Sequence, residues 1–224
     1  MKNWLWAFAL AAAVNLLGQV LQHDALVFFS KPLLMPLLAA WFWQATAGAG
    51  GWLRKAVLAA LLFSTLGDVL LMFEGGNFFL FGLGAFLVAH LFYMSGFFAN
   101  ISLSAGFIRK KPIWVLPFVA YLAGLLGLLW PGIPTAMRGP VALYACVITG
   151  MALSVLNLKN TAEPQAWRWA MAGAVLFVLS DSLIAVEKFG QPFAGSRVAV
   201  MLTYIVGQYL LVRGSARLVV GSLQ

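Results

Sequence analysis

At 224 residues, 63% hydrophobic and only 9% charged, the chain departs far from a soluble globular domain, in which about a quarter of residues carry charge. Its formal charge of +8 comes from 14 Lys and Arg placed in twos and threes at the ends of apolar runs rather than along one stripe, which excludes a nucleic-acid surface and marks membrane topology. A spanning helix needs about 20 apolar residues, so the expected architecture is all-α: one polytopic transmembrane domain, residues 1–224, of about eight helices.

Met1-Lys2-Asn3 followed by the apolar stretch from Trp4 to Ala13 resembles a signal peptide. The apolar character continues through Val14, Leu16, Leu17, Val20 and Leu21, so a full first span is predicted near 3–22. Ser30-Lys31-Pro32 supplies a cap candidate and a proline to open the second span near 31–47, which Gly48, Gly50 and Gly51 stop. The third, near 54–73, ends at Gly75-Gly76; Asn77 opens the fourth, near 78–99. Pro112 opens the fifth (112–130), stopped by Pro131-Gly132, and Pro140 opens the sixth (139–158). The lone cysteine, Cys146, lies in that sixth run as a packing residue and has no partner for an intrachain disulfide. The last two spans are predicted near 165–186 and 197–217.

Alternate connections hold Lys2, Arg54, Lys55, Arg109, Lys110, Lys111, Lys159, Arg168, Arg213 and Arg217 on one side, against Lys31, Arg138, Lys188 and Arg197 on the other. The positive-inside rule therefore places both termini in the cytoplasm. An offset of 113 residues superposes Lys55 on Arg168, Asp68 on Asp181, Leu70 on Leu183 and Glu74 on Glu187, consistent with a parallel four-plus-four repeat.

Of the six acidic residues, Asp24, Glu74, Glu163 and Glu187 read as solvated groups at span ends or in connections. Asp68 and Asp181 are flanked on both sides by apolar residues, where a carboxylate costs about 2.5 kcal/mol or more on insertion scales. An interhelical hydrogen bond would account for them structurally; a cavity site for chemistry or binding is the stronger reading. Each lies six residues before Glu74 or Glu187, about 9 Å inside the outer helix end. Tyr204, with Gln208 one turn deeper, reaches a similar level, and Lys31 opens the second span on the same side. His90 and Tyr93 share a face of the fourth span; Ser64 and Ser180 sit near the two acids, to tune them or to bond back to their own helices. No nucleotide loop, nucleophile elbow or metal-ligand motif is present, which leaves a metal-free and cofactor-free site built on two carboxylates.

Lys31-Pro32, Ser64-x-x-Gly67-Asp68-x-x-Leu71, Phe86-x-x-x-His90-x-x-Tyr93, Ser180-Asp181 and Tyr204-x-x-x-Gln208, in that order and spacing, resemble the YhhN family, which includes the lysoplasmalogenases. The resemblance runs from the second span to the eighth. It implies an eight-span membrane hydrolase that cleaves the vinyl-ether bond of lysoplasmalogens to a fatty aldehyde and a glycerophospho-base, with Asp68 and Asp181 as counterparts of the family's essential acids. Two carboxylates in different surroundings suit that reaction, one protonating the alkenyl carbon and the other stabilising the cation and activating water. Lys31 is then a candidate phosphate contact, and His90, Tyr93, Tyr204 and Gln208 candidate lining groups, for a lysophospholipid entering from membrane lipid. The expected location is a bacterial plasma membrane; the oligomeric state is not encoded. A small proton- or cation-coupled transporter using the same aspartates is the alternative, and would require discontinuous helices around its site.

Overall fold

The computed structural model describes residues 2–73, 75, 77–100 and 106–221. Glu74 and Gly76, used above to mark the end of the third span, lie outside the described residues. Among those residues all regular structure is helical, and eight long helices follow one another: α1 Lys2–Val20, α2 Asp24–Ala45, α3 Trp52–Leu70, α4 Phe78–Ala99, α5 Leu116–Leu129, α6 Thr135–Asn157, α7 Pro164–Phe189 and α8 Ser196–Gly221. A single helical turn, Phe107–Lys110, precedes α5, which 3-10 turns extend at Pro112–Val115 and Trp130–Gly132. Seven of the eight are long and apolar enough to cross a membrane. α3 is not among the seven, since Arg54, Lys55 and Asp68 put three charges into its 19 residues. It packs between α2 and α4 and also touches α8.

Two starts differ from the expected ones. α2 begins at Asp24, so Lys31 lies two turns inside it, and Pro32 and Pro36 are internal. Ser30 is no cap: its hydroxyl donates back to the Leu26 carbonyl at 2.5 Å and accepts from Asn15 Nδ2 at 3.0 Å. α6 likewise begins at Thr135, five residues before Pro140. Proline stops helices in water, where freed carbonyls find solvent; within a bundle, neighbouring side chains and helices satisfy those groups, so a helix runs through. Asn77 precedes α4 without a side-chain cap bond. The true side-chain cap is Glu163, whose carboxylate accepts from the Gln165 and Ala166 N–H groups at 2.8 and 2.7 Å, with Pro164 at the first helical position. The helix ends also correct the equal depth expected for the two acids: α3 stops two residues after Asp68, whereas α7 runs eight past Asp181.

Small residues let two helix pairs approach closely. In α3/α4, a Cβ on Gly67 would meet the Phe86 ring at 2.6 Å and one on Gly96 would meet the Ala56 Cβ at 2.9 Å. In α7/α8, a Cβ on Gly173 or Gly214 would fall within 3 Å of backbone atoms of the facing helix. α8 also touches α1, α2 and α3, so the last helix threads the middle of the bundle. Basic side chains at the end opposite Lys31 pack on aromatic faces, Arg54 on Trp43 at 4.0 Å and Arg213 and Arg217 on Trp169 at 3.9 and 4.3 Å, as expected of residues anchoring an interface. α5 stands apart: 6% of its apolar stretch is buried, against 28–50% for the other six qualifying spans.

Candidate active site

α3 delivers Asp68 to the bundle interior because Gly67, beside it, admits the Phe86 ring of α4. The side chain is 3% exposed and held from two helices: Tyr204 of α8 donates to Oδ2 at 2.7 Å, and the Lys31 ammonium of α2 stands 3.8 Å from Oδ1. The internal position of Lys31 in α2, rather than at its start, is what brings it level with Asp68.

Asp181 of α7 has different company. Its side chain is 13% exposed, accepts a short hydrogen bond from the Tyr144 hydroxyl of α6 at Oδ2, and lies 3.5 Å from His90 Nε2 of α4. His90 Nε2 and the Tyr144 hydroxyl are 3.0 Å apart. Tyr144 has one proton, which it gives to Asp181, so Nε2–H donates to the Tyr144 oxygen; His90 Nδ1, buried and unpartnered among the described residues, is then the bare nitrogen. A stranded lone pair costs less than a stranded N–H, and this tautomer is assigned on that ground.

Between the two acids stands an aromatic partition. Phe177 packs edge-on against both His90 and Tyr204, with centroids 4.7 and 5.5 Å apart, and Phe86 packs edge-on against Phe177 and Tyr204. A third polar group lies deeper, where Tyr93 donates to Gln208 Oε1 at 2.8 Å and Gln208 Nε2 to Ser64 Oγ at 3.2 Å, joining α4, α8 and α3. Ser64, Tyr93 and Gln208 are fully buried and line neither of the cavities described next. Ser180 bonds away from Asp181, to the Val200 carbonyl of α8 at 3.0 Å.

Asp181 and Tyr144 sit on the wall of an apolar cavity, with Phe86 and Val178, closed on its outer flank by Tyr121, Leu125 and Leu129 of the lightly packed α5. The Tyr121 hydroxyl donates to Ser182 Oγ at 2.8 Å, tying α5 to α7 beside Asp181. A second, polar cavity is lined by Lys31, Lys188, Arg197, Asp24 and Glu187. Leu71, Phe79 and Ile184 line both, so the charged vestibule and the apolar chamber adjoin. Asp68 lines neither. Sequence reasoning passed over Tyr144 and the vestibule residues Lys188, Arg197 and Glu187. A tyrosine hydroxyl amid the apolar run of α6 was the available signal for the first, since buried tyrosines seek a partner.

The sequence profile of the YhhN family matches residues 26–215. The chain is similar to human lysoplasmalogenase TMEM86A, 32% identical over 190 residues that make up 79% of this chain and 73% of that one. It is 29% identical to human lysoplasmalogenase TMEM86B over 218 residues, 96% of this chain and 87% of the relative. A lysoplasmalogenase of Mycobacterium bovis is 31% identical over 186 residues, covering 82% and 68%. No solved structure matches the chain.

Proposed function

The chain belongs to the YhhN family, and from that premise we propose that it is a membrane hydrolase that cleaves the vinyl-ether bond of lysoplasmalogens to a fatty aldehyde and a glycerophospho-base. The observation that carries this reading is the placement of Asp181 on the wall of the apolar chamber, one helical turn before Ile184, where the chamber adjoins a charged vestibule. A lysolipid whose alkenyl chain occupies the chamber and whose head group occupies the vestibule brings its ether bond to that junction. The chain enters from lipid past α5, and both termini face the cytoplasm.

In the proposed reaction the Asp181 carboxyl gives its proton to the β-carbon of the alkenyl ether, leaving an oxocarbenium ion. The Asp181 carboxylate then takes a proton from water as the oxygen bonds to the cationic carbon. The resulting hemiacetal collapses: its hydroxyl proton is lost, the carbon–oxygen bond to glycerol breaks, and the glycerol oxygen is protonated, with Asp181 protonated again at the end. Tyr144 fixes Oδ2, and His90 fixes Tyr144. Asp68, excluded from the chamber and paired with Lys31, contributes fixed negative charge on the far side of Phe177 and positions Tyr204. The continuous helices α3 and α7 support hydrolysis over coupled transport, which calls for broken helices at the site.

The test is incubation of the purified protein in detergent with 1-alkenyl lysophospholipid and, separately, with its 1-acyl counterpart. Fatty aldehyde from the alkenyl lipid is the expected result. Absence of aldehyde, with the acyl lipid also untouched, overturns the hydrolase reading.

A further inference from the structure

Five charged side chains line the vestibule, and their existing partners leave two of them uncommitted. Lys31 is engaged by Asp68. Arg197 donates through Nε to Gln19 at 3.1 Å and through Nη2 to Asp24 at 3.1 Å, which fixes its guanidinium while Nη1 has no hydrogen bond among the described residues. Among the described residues, Lys188 reaches only the Phe79 ring, 5.1 Å from its centroid. Glu187 is half-buried and has neither a hydrogen bond nor an ion pair among the described residues. A carboxylate drawn partly out of water with no partner is unfavourable unless a cation from outside meets it.

Geometry relates these groups to Asp181. Lys188 follows it by seven residues, returning to the same face of α7 after two turns, about 10 Å further along the axis. Ile184, between them on that face, lines both cavities. An extended glycerophosphoethanolamine unit covers such a distance, with its phosphate before its ammonium. Glu187, adjacent to Lys188 but turned about 100° around the helix, faces the same vestibule from the side.

We propose that the vestibule binds a zwitterionic phosphodiester head group, with Lys188 and the pinned guanidinium of Arg197 receiving the phosphate and Glu187 receiving a primary ammonium. This deepens, and rests on, the hydrolase reading. Glu187 is the element that selects: it attracts an ammonium and repels any head group ending in an additional negative charge, while an uncharged glycerol head gains nothing from it.

Binding of uncleavable 1-alkyl lysophospholipids tests this without turnover, by titration calorimetry on the full chain in detergent. The parent is expected to bind the ethanolamine-head lipid about tenfold more tightly than the glycerol-head lipid, a difference on the scale of one desolvated charge contact. Glu187→Gln should bring the two within about twofold by weakening the ethanolamine lipid alone, Glu187→Asp should retain part of the preference, and Lys188→Gln should weaken both lipids alike. Soluble glycerophosphoethanolamine should displace the lipid from the parent more effectively than inorganic phosphate does. A parent without head-group preference, a preference that survives Glu187→Gln, or displacement by inorganic phosphate equal to that by glycerophosphoethanolamine would each overturn the inference. Failure of aldehyde release would strike the hydrolase reading while a Glu187-dependent preference still stood; aldehyde release from a protein indifferent to head group would do the reverse.

Discussion

Replacing Tyr144 with phenylalanine removes one hydroxyl from the point where three helices meet, and its consequences follow from the contacts of that oxygen. The ring is 8% exposed and stays in place, so the change opens no void larger than the lost atom. The hydrogen bond to Asp181 and the 3.0 Å contact with His90 are both lost. A hydrogen bond of this kind contributes about 0.5–1.5 kcal/mol net, and His90 Nε2, 3.5 Å from Asp181, recovers part of any loss by closing onto it directly. The expected stability loss is therefore about 1 kcal/mol. The effect on catalysis is larger, because a carboxyl that rotates freely is no longer aimed at the alkenyl carbon: a fall of about 10- to 100-fold in kcat/KM is expected, at 1.4 kcal/mol per factor of ten. Aldehyde release from 1-alkenyl lysophospholipid measures it, with thermal unfolding in detergent run alongside. Activity within twofold of the parent in a folded Tyr144→Phe protein would refute the role given to the His90–Tyr144–Asp181 group.

Lys31→Met strands Asp68 with Tyr204 alone, so apparent stability should fall by about 3 kcal/mol, while Lys31→Met combined with Asp68→Asn should recover most of the loss; additive losses on thermal unfolding would contradict the pairing. Gly173→Ala places a Cβ 2.2 Å from the Leu211 backbone nitrogen and should cost about 2–3 kcal/mol or prevent folding, whereas Gly84→Ala, with nothing within 4 Å, should be neutral; size-exclusion profiles and unfolding midpoints compare them. The Glu163 carboxyl, at the exposed start of α7, is held below the ordinary glutamate range by the Gln165 and Ala166 N–H groups, with Arg217 and Arg168 adding less. A lowered folded-state pKa gives stability that is present above the unfolded value, about 4.3, and is lost as pH falls through the folded one. The unfolding midpoint of the parent should thus decline on acidification below about pH 4.5 more steeply than that of Glu163→Gln; parallel declines would remove Glu163 from the account.

The helix count was legible because the apolar runs are each about one helix long and are separated by charges and turn residues, and Asp68 and Asp181 stood out because charge is costly there. Helix starts were less legible. Ser30-Lys31-Pro32 has the composition of a start, and only the packing of α1 against α2, where Asn15 bonds Ser30, shows that the helix began a turn and more earlier. The same displacement hid the meeting of Lys31 with Asp68. Tyr204 was placed near that acid by depth alone, and it does bond it; Gln208 was placed one turn deeper, Tyr93 on the face of His90 and Ser64 one turn before Asp68, and these three bond one another. Depth along a helix is encoded in spacing, whereas azimuth toward a particular neighbour depends on which helices pack together. Tyr144 reaches Asp181 across 37 residues of sequence, through a helix pairing that no local pattern carries.

The most direct measurement is aldehyde release in deuterium oxide by the parent, Asp181→Asn and Asp68→Asn proteins, each verified as folded. The account predicts aldehyde from the parent carrying one deuterium on the carbon next to the carbonyl, no more than a trace from Asp181→Asn, and a severe loss in Asp68→Asn. Deuterated aldehyde formed by Asp181→Asn at the parent's rate would contradict it, because the proton would then come from another group.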